Sequence, residues 1–131
     1  MDRRVINPWT WQDQYGFVQA NEISGVEKTL VCSGQTAIDA DGHPAHAGDI
    51  AAQASMALDN LETVLDHAGY SLADVVRLTV YTTDVDGLIA EYGVLAGRLA
   101  EANCRSAQTL LGVNRLAFPE LMIEIEATAV Q

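Results

Sequence analysis

The sequence predicts an α+β domain in which two helices lie on one face of a single sheet. Three observations carry that reading. Apolar residues recur at spacings of three and four in two separate windows. The remaining apolar segments are short and alternate or run as β-type stretches. Strands fall at both ends of the chain, with the helices between them, in the order β-β-β-α-β-α-β-β.

Taken in order, "RRVIN" near the start reads as a short first strand. "GFVQANEI" and "KTLVCSGQ" read as two strands joined at Ser24-Gly25, a hairpin signal. "DADGHPAHAGD" is rich in turn residues, with Asp-Gly and His-Pro as breakers, and reads as a loop. From Asp49 the period becomes helical: Ile50, Ala54, Leu58, Leu61, Leu65 and Ala68 form a stripe, and Gly69 suits the helix end. "ADVVRLTVYTTDV" alternates, with Val76, Leu78 and Val80 on one face and Arg77, Thr79 and Tyr81 on the other. A second helix is predicted from the stripe Leu88, Tyr92, Leu95 and Leu99, with Asp84 or Asp86 as N-cap. "SAQTLLGVNRL" and "LMIEIEATAV" are the last two strands, separated by "AFPE".

Helices in that number cover one face of a sheet and leave the other bare. A bare, partly apolar sheet face is commonly covered by another copy of the chain, so a homo-oligomer is expected. At 131 residues with 49% apolar content, the chain is read as a single domain, residues 1–131, with one core. No apolar run is long enough to span a bilayer, and no secretory signal is visible behind Arg3–Arg4. The expectation is a cytoplasmic protein. Cys32 and Cys104 form no metal or redox motif and are expected as two buried free thiols.

Seven Lys and Arg stand against 18 Asp and Glu, a formal net charge of −11. That balance argues against nucleic acid, because a phosphate-binding surface needs clustered cations and Arg3–Arg4 is the only adjacent pair. It also makes each cation informative. Arg105 sits at the turn between the second helix and a strand. One reading is a surface arginine complementing a helix C-terminus. The other is a guanidinium fork that holds a substrate carboxylate through two charge-assisted hydrogen bonds.

In the last strand Ile123, Ile125, Ala127 and Ala129 point one way, and Met122, Glu124, Glu126 and Thr128 the other. Two carboxylates therefore share a face, about 7 Å apart by strand rise. They form either a solvated polar side or a general base, Glu124 or Glu126, working with Arg105. Ser33 and Gly34 end a predicted strand with small residues, where a ligand could approach the backbone or a simple turn could stand. His43 and His46, near Asp39 and Asp41, lack the rigid frame and further ligands of a metal site, and none is expected. His67 falls in the last turn of the first helix, where it suits the dipole. There is no Gly-rich phosphate loop and no GxSxG elbow.

"GFVQANEI", "LVCSGQTAID", "GDIAAQASMALDNLETVLDHAGYSLADVVRLTVYTTDV", "CRSAQTLLGV" and "IEIEATAV" together resemble the RidA/YjgF family of imine deaminases. The resemblance runs from about Tyr15 to Val130. It implies a chorismate-mutase-like fold, a six-stranded mixed sheet with two helices on one face. It further implies a homotrimer with sites in the clefts between subunits, no metal and no organic cofactor. The implied reaction is hydrolysis of 2-imino or enamine acids to 2-keto acids and ammonia.

By the same resemblance, Arg105 falls where the family keeps the arginine that holds the substrate carboxylate. Glu124 falls where it keeps a glutamate that positions water, and Ser33 and Gly34 match small pocket-lining residues. Phe17 stands where active members usually carry tyrosine, with Tyr15 as a substitute hydroxyl if that segment is extended. Tyr92 replaces a common asparagine and Ala107 a cysteine, and the segment between Arg105 and Glu124 is longer than usual. These departures imply a reshaped pocket, with a substrate other than the smallest imino acids or with reduced activity. The alternative is a non-catalytic oligomeric binder of a small metabolite or a regulatory module. A third function attached to the family, ribonuclease or translation inhibitor, is opposed by the net charge.

Overall fold

The computed structural model describes residues 1–131. Its centre is an antiparallel pair, β5 (Val75–Thr82) and β7 (Ile123–Val130), in which Tyr81 faces Glu124 and Thr79 faces Glu126. β6 (Ala107–Gly112) runs parallel to β5 on one side. On the other side of β7, β3 (Thr29–Val31) and β4 (Gln35–Thr36) pair with it in succession. A separate two-stranded sheet is made by β1 (Asp2–Ile6) and β2 (Ala20–Ser24).

Helix α1 (Ile50–Ala68) forms as its stripe requires. Asp49 caps it by accepting the Ala52 N–H at 3.0 Å, and Gly69 ends it at φ 80°, a left-handed conformation that costs glycine nothing. Leu58, Leu61 and Leu65 are fully buried and pack with Leu78, Val80, Ile123 and Ile125 in one core cluster. Burial of each such side chain contributes about 1.5–3 kcal/mol. No helix is long and apolar enough to cross a membrane.

The second helix is two. α2 (Val85–Ala90) is capped by Asp84, whose carboxylate accepts the Gly87 N–H at 3.0 Å. The chain then turns and resumes as α3 (Gly93–Glu101). The stripe survives the break, since Leu88, Tyr92, Leu95 and Leu99 are all buried. Arg98 clamps α3 to α1, reaching Asp59 at 2.7 Å, Glu62 at 2.6 Å and the Ser55 carbonyl at 2.9 Å.

Two strand expectations are corrected. The strand expected from Gly16 begins only at Ala20, because a 3-10 turn (Asp13–Tyr15) and Gly16 at φ 76° keep the preceding residues out of extended backbone. Tyr15 and Phe17 therefore do not share a strand face. The expected hairpin across Ser24-Gly25 is also absent. Gly25 does turn the chain, at φ 68°, but β2 pairs with β1 while β3 crosses to the end of β7. Local turn chemistry was right and the partner was wrong, since pairing is decided by which ladder edge is free.

Gln53 joins the layers from inside α1. Fully buried, it donates to the carbonyls of Ala45, His46 and Glu120 at 3.3, 3.3 and 2.8 Å and accepts the Met122 N–H at 2.8 Å. It thereby ties both long loops to the helix. Gln53→Ala is expected to lower unfolding free energy by about 2–4 kcal/mol in urea titrations, because those loop groups lose their partner.

Candidate functional site

Arg105 is presented by the exit from α3. Asn103 takes φ 53°, a left-handed residue that stops the helix, and the Cys104 N–H closes on the Leu99 carbonyl at 2.8 Å. Cys104 is buried while Arg105 turns outward into a cleft of about 240 Å³ walled by Asn7, Asp13, Gly16, Phe17, Val18 and Asn103. The ion pairs of the chain are Arg4–Glu22, Arg98 with Asp59 and Glu62, and a marginal His43–Asp39 contact. The Arg105 guanidinium belongs to none of them, so its fork is available to a ligand anion.

The backbone under Arg105 is held from the N-terminal hairpin. Arg3 donates to the Arg105 carbonyl, to the Ala73 carbonyl at 3.0 Å and to the Val75 carbonyl at 3.1 Å; its Nε is fixed on Asn21 Oδ1 at 3.0 Å. The Asn21 amide donates to the carbonyls of Arg105 at 2.9 Å and Val76 at 3.0 Å. Partial burial lowers the Arg3 pKa, with Cys104 and Asp74 opposing that shift. Arg3→Ala is expected to reduce stability by about 2–3 kcal/mol and to raise amide exchange at Arg105, measured by hydrogen exchange. Neither Arg3 nor Asn21 was marked by any sequence pattern; only the crossing of the hairpin over this turn gives them their role.

Glu124 lies elsewhere. Between Val31, opposite Thr128, and Gln35, opposite Ile125, one strand advances four residues while the other advances three. The extra residue makes a bulge at Ser33-Gly34. A side chain on Gly34 would place its Cβ 2.1 Å from Glu124 Oε1, so the carboxylate lies directly against the glycine backbone. Glu126 differs in having a partner: the Tyr81 hydroxyl donates to it at 2.7 Å, and that bond is the main cause of the raised Tyr81 pKa. Of the two carboxylates on this face, Glu124 is therefore the one not committed to a neighbouring side chain.

Arg105 and Glu124 are not neighbours in one chain. Ala107 aligns with Arg77, and Arg77 with Thr128, four residues along β7 from Glu124. Two strand spacings and four residue rises put Ala107 and Glu124 about 16 Å apart, with Arg105 beyond the end of the strand. Neither side chain spans that gap. Phe17 stays with Arg105, and Ser33 and Gly34 stay with Glu124, so the chain carries two candidate half-sites.

The remaining expected residues divide around the first half-site. Tyr15, Phe17 and Tyr92 line a second, more apolar pocket with Ile89, Gln108 and Leu110. Tyr15 and Tyr92 meet edge to face at 6.1 Å, and burial pushes the Tyr92 hydroxyl up to about 12. Ala107 is half-buried at the start of β6, bridged to Val18, and lies on the sheet face opposite Gln108, outside that pocket.

Cys32 and Cys104 are buried free thiols, both raised in pKa by burial. The Asp39 carboxylate accepts the N–H groups of His43 and Asp41, which lowers its pKa, while His43 and His46 are exposed. No group of three or more His, Cys, Asp or Glu side chains converges in a way that could hold a metal ion. His67 Nδ1 bonds the Thr63 carbonyl one turn back at 2.9 Å.

The chain is a two-layer α+β domain with an exposed guanidinium, outside every ion pair, in a cleft at the sheet edge. A family model described as endoribonuclease L-PSP matches residues 14–131, and the chain belongs to that family, the RidA/YjgF family of the resemblance above. Among its relatives, a 2-iminobutanoate/2-iminopropanoate deaminase of Escherichia coli is 30% identical over 112 residues, covering 83% of this chain and 86% of that one. A crystal structure of YyfB, a conserved Rid family protein from Yersinia pestis, matches with a TM-score of 0.89 at 40% identity, covering all of both chains. Escherichia coli TdcF with bound serine matches with a TM-score of 0.71 at 26% identity, covering 96% of this chain and 90% of that one. The two-helix, mixed-sheet fold is thus that of the Rid proteins, with the helix broken and the N-terminal hairpin hydrogen-bonded as its own sheet.

Proposed function

We propose that the chain hydrolyses 2-imino or enamine carboxylates to 2-keto acids and ammonia. The observation that carries the reading is Arg105, an exposed guanidinium with no protein ion-pair partner in a chain of net charge −11. Its fork holds the carboxylate. Water held by Glu124 adds to the carbon of the protonated imine, to which an enamine first tautomerises, and Glu124 accepts the proton the water gives up. Glu124 then returns that proton to the amino nitrogen of the tetrahedral adduct, the C–N bond breaks, ammonia leaves, and the hydroxyl proton is released as the keto group forms. No metal or organic cofactor is required, since imines of this kind hydrolyse readily and need mainly positioning.

The two half-sites support an assembly in which Arg105 of one copy meets Glu124 of another. A homotrimer with inter-subunit clefts is the proposed form, and the cytoplasm its proposed location. Nucleic acid and membrane are not proposed as partners, because the acidic surface repels phosphate. The test is a coupled assay in which an amino-acid oxidase generates 2-imino acids and semicarbazide competes for them. Faster keto-acid release than without the protein supports the deaminase.

One observation favours a second reading, a non-catalytic metabolite binder: Phe17 brings no hydroxyl to the cleft beside Arg105. A carboxylate that raises the melting temperature but is not consumed would establish that alternative.

A further inference from the structure

Arg105 shares its cleft with a side chain of opposite charge. Asp13 lines the same space, yet no ion pair joins the two. The loop that carries Asp13 is tied down from within. Gln12, fully buried, donates to the Trp9 carbonyl at 2.8 Å, reaches Asp13 Oδ1 at 3.5 Å and accepts from Gln19 Nε2 at 3.2 Å. The Gln19 N–H donates to Asn7 Oδ1 at 2.8 Å, which joins the two ends of the loop. A 3-10 turn begins at Asp13 itself, and the Gly16 N–H closes it on the Asp13 carbonyl at 3.2 Å. Asp13 Oδ2 has no protein donor, so the carboxylate keeps a free acceptor beside the cleft.

Opposite charges held in one cleft without pairing fit a ligand that carries both signs. A protonated 2-imino acid is such a molecule, with its cationic nitrogen on the carbon next to the carboxylate. We propose that Asp13 is a further catalytic residue, which accepts a hydrogen bond from the protonated imine nitrogen while Arg105 holds the carboxylate. The inference rests on the deaminase reading. Asp13 gains and loses no proton. It favours the cationic nitrogen before water adds, and again when the protonated amine of the adduct departs. A neutral imine is the poorer electrophile, so a carboxylate that keeps the proton on nitrogen matters most at alkaline pH. The other ionisable groups around this nitrogen are Arg105 and the buried Cys104 in the cleft wall, Arg3 behind the Arg105 backbone, and Glu124 of a second copy in the proposed assembly. One charge-assisted hydrogen bond to the reacting nitrogen is worth roughly 10- to 100-fold in rate.

The experiment compares the wild type with Asp13→Asn on imines generated from L-leucine, from mildly acid to alkaline pH, each rate taken over the protein-free rate at the same pH. Asparagine keeps the shape of the side chain and the acceptor that Gln12 reaches, and the position is exposed, so thermal melts should match. The expected result is a kcat/KM lower by roughly 10- to 100-fold, with the alkaline limb of the kcat profile moved down by at least about one pH unit. A lower rate with the limb unmoved makes the residue merely structural and overturns the proposal. Wild-type rates in Asp13→Asn overturn it and leave the deaminase standing. A wild type that accelerates no imine overturns both.

Discussion

Replacing Arg105 with alanine will lower kcat/KM for 2-imino acids by roughly 10²–10⁴, with the fold and assembly retained. Two charge-assisted hydrogen bonds to a carboxylate are worth about 1.5–3 kcal/mol each, and every 1.36 kcal/mol is a factor of ten. The side chain is exposed and is in none of the chain's ion pairs, so its removal leaves no buried group without a partner. The anchoring bonds at this position run to its backbone carbonyl, which alanine keeps. Arg105→Lys should recover only part of the loss, because an ammonium supplies the charge without the two-pronged geometry. Steady-state kinetics together with thermal melts check this: turnover near the wild-type level in Arg105→Ala would remove the clamp from the mechanism.

Gly34→Ala is expected to be mild in stability and severe in activity. The added methyl would come 2.1 Å from Glu124 Oε1 and 2.6 Å from its carboxyl carbon, so the carboxylate must swing away. Glu124 Cγ would also lie only 2.8 Å away, so the side chain must change rotamer from its base within β7, at a cost of about 0.5–1.5 kcal/mol partly offset by the reduced freedom of the unfolded chain; unfolding free energy should change by less than about 2 kcal/mol. In the proposed mechanism the water that Glu124 holds is displaced with it, and misplacement by an ångström costs on the order of 10²-fold in rate. Glu124→Gln should cost roughly 10²–10⁴ if the group also takes a proton. The double variant Gly34→Ala/Glu124→Gln should be little worse than Glu124→Gln, because both changes act on one carboxylate. A fully active Gly34→Ala enzyme would show that the observed Glu124 position is dispensable.

These variants separate two kinds of information. The stripe Leu58, Leu61 and Leu65, the helix start at Asp49 and a cap at Asp84 or Asp86 were readable in sequence because helix periodicity and capping are local, decided within a few residues. The alternation of the last strand was readable for the same reason, and it placed Glu124 and Glu126 on one face. Arg105 stood out by its scarcity of company, and its cleft by resemblance to a known family.

What only the folded chain decided depends on contacts distant in sequence. β2 turns to β1 and β3 to β7 because ladder edges, not turn residues, select partners. Tyr81 commits Glu126 and leaves Glu124 free, a distinction invisible in "IEIEA". Arg3 and Asn21 hold Arg105 across more than 80 residues, and Gln53 holds Met122 across 69. Gln108 is fixed in the pocket wall only because Tyr92, Gly16 and Ser106 converge on it. Side-chain hydrogen bonds of this kind have no period and no fixed spacing, so they are set only when the layers meet.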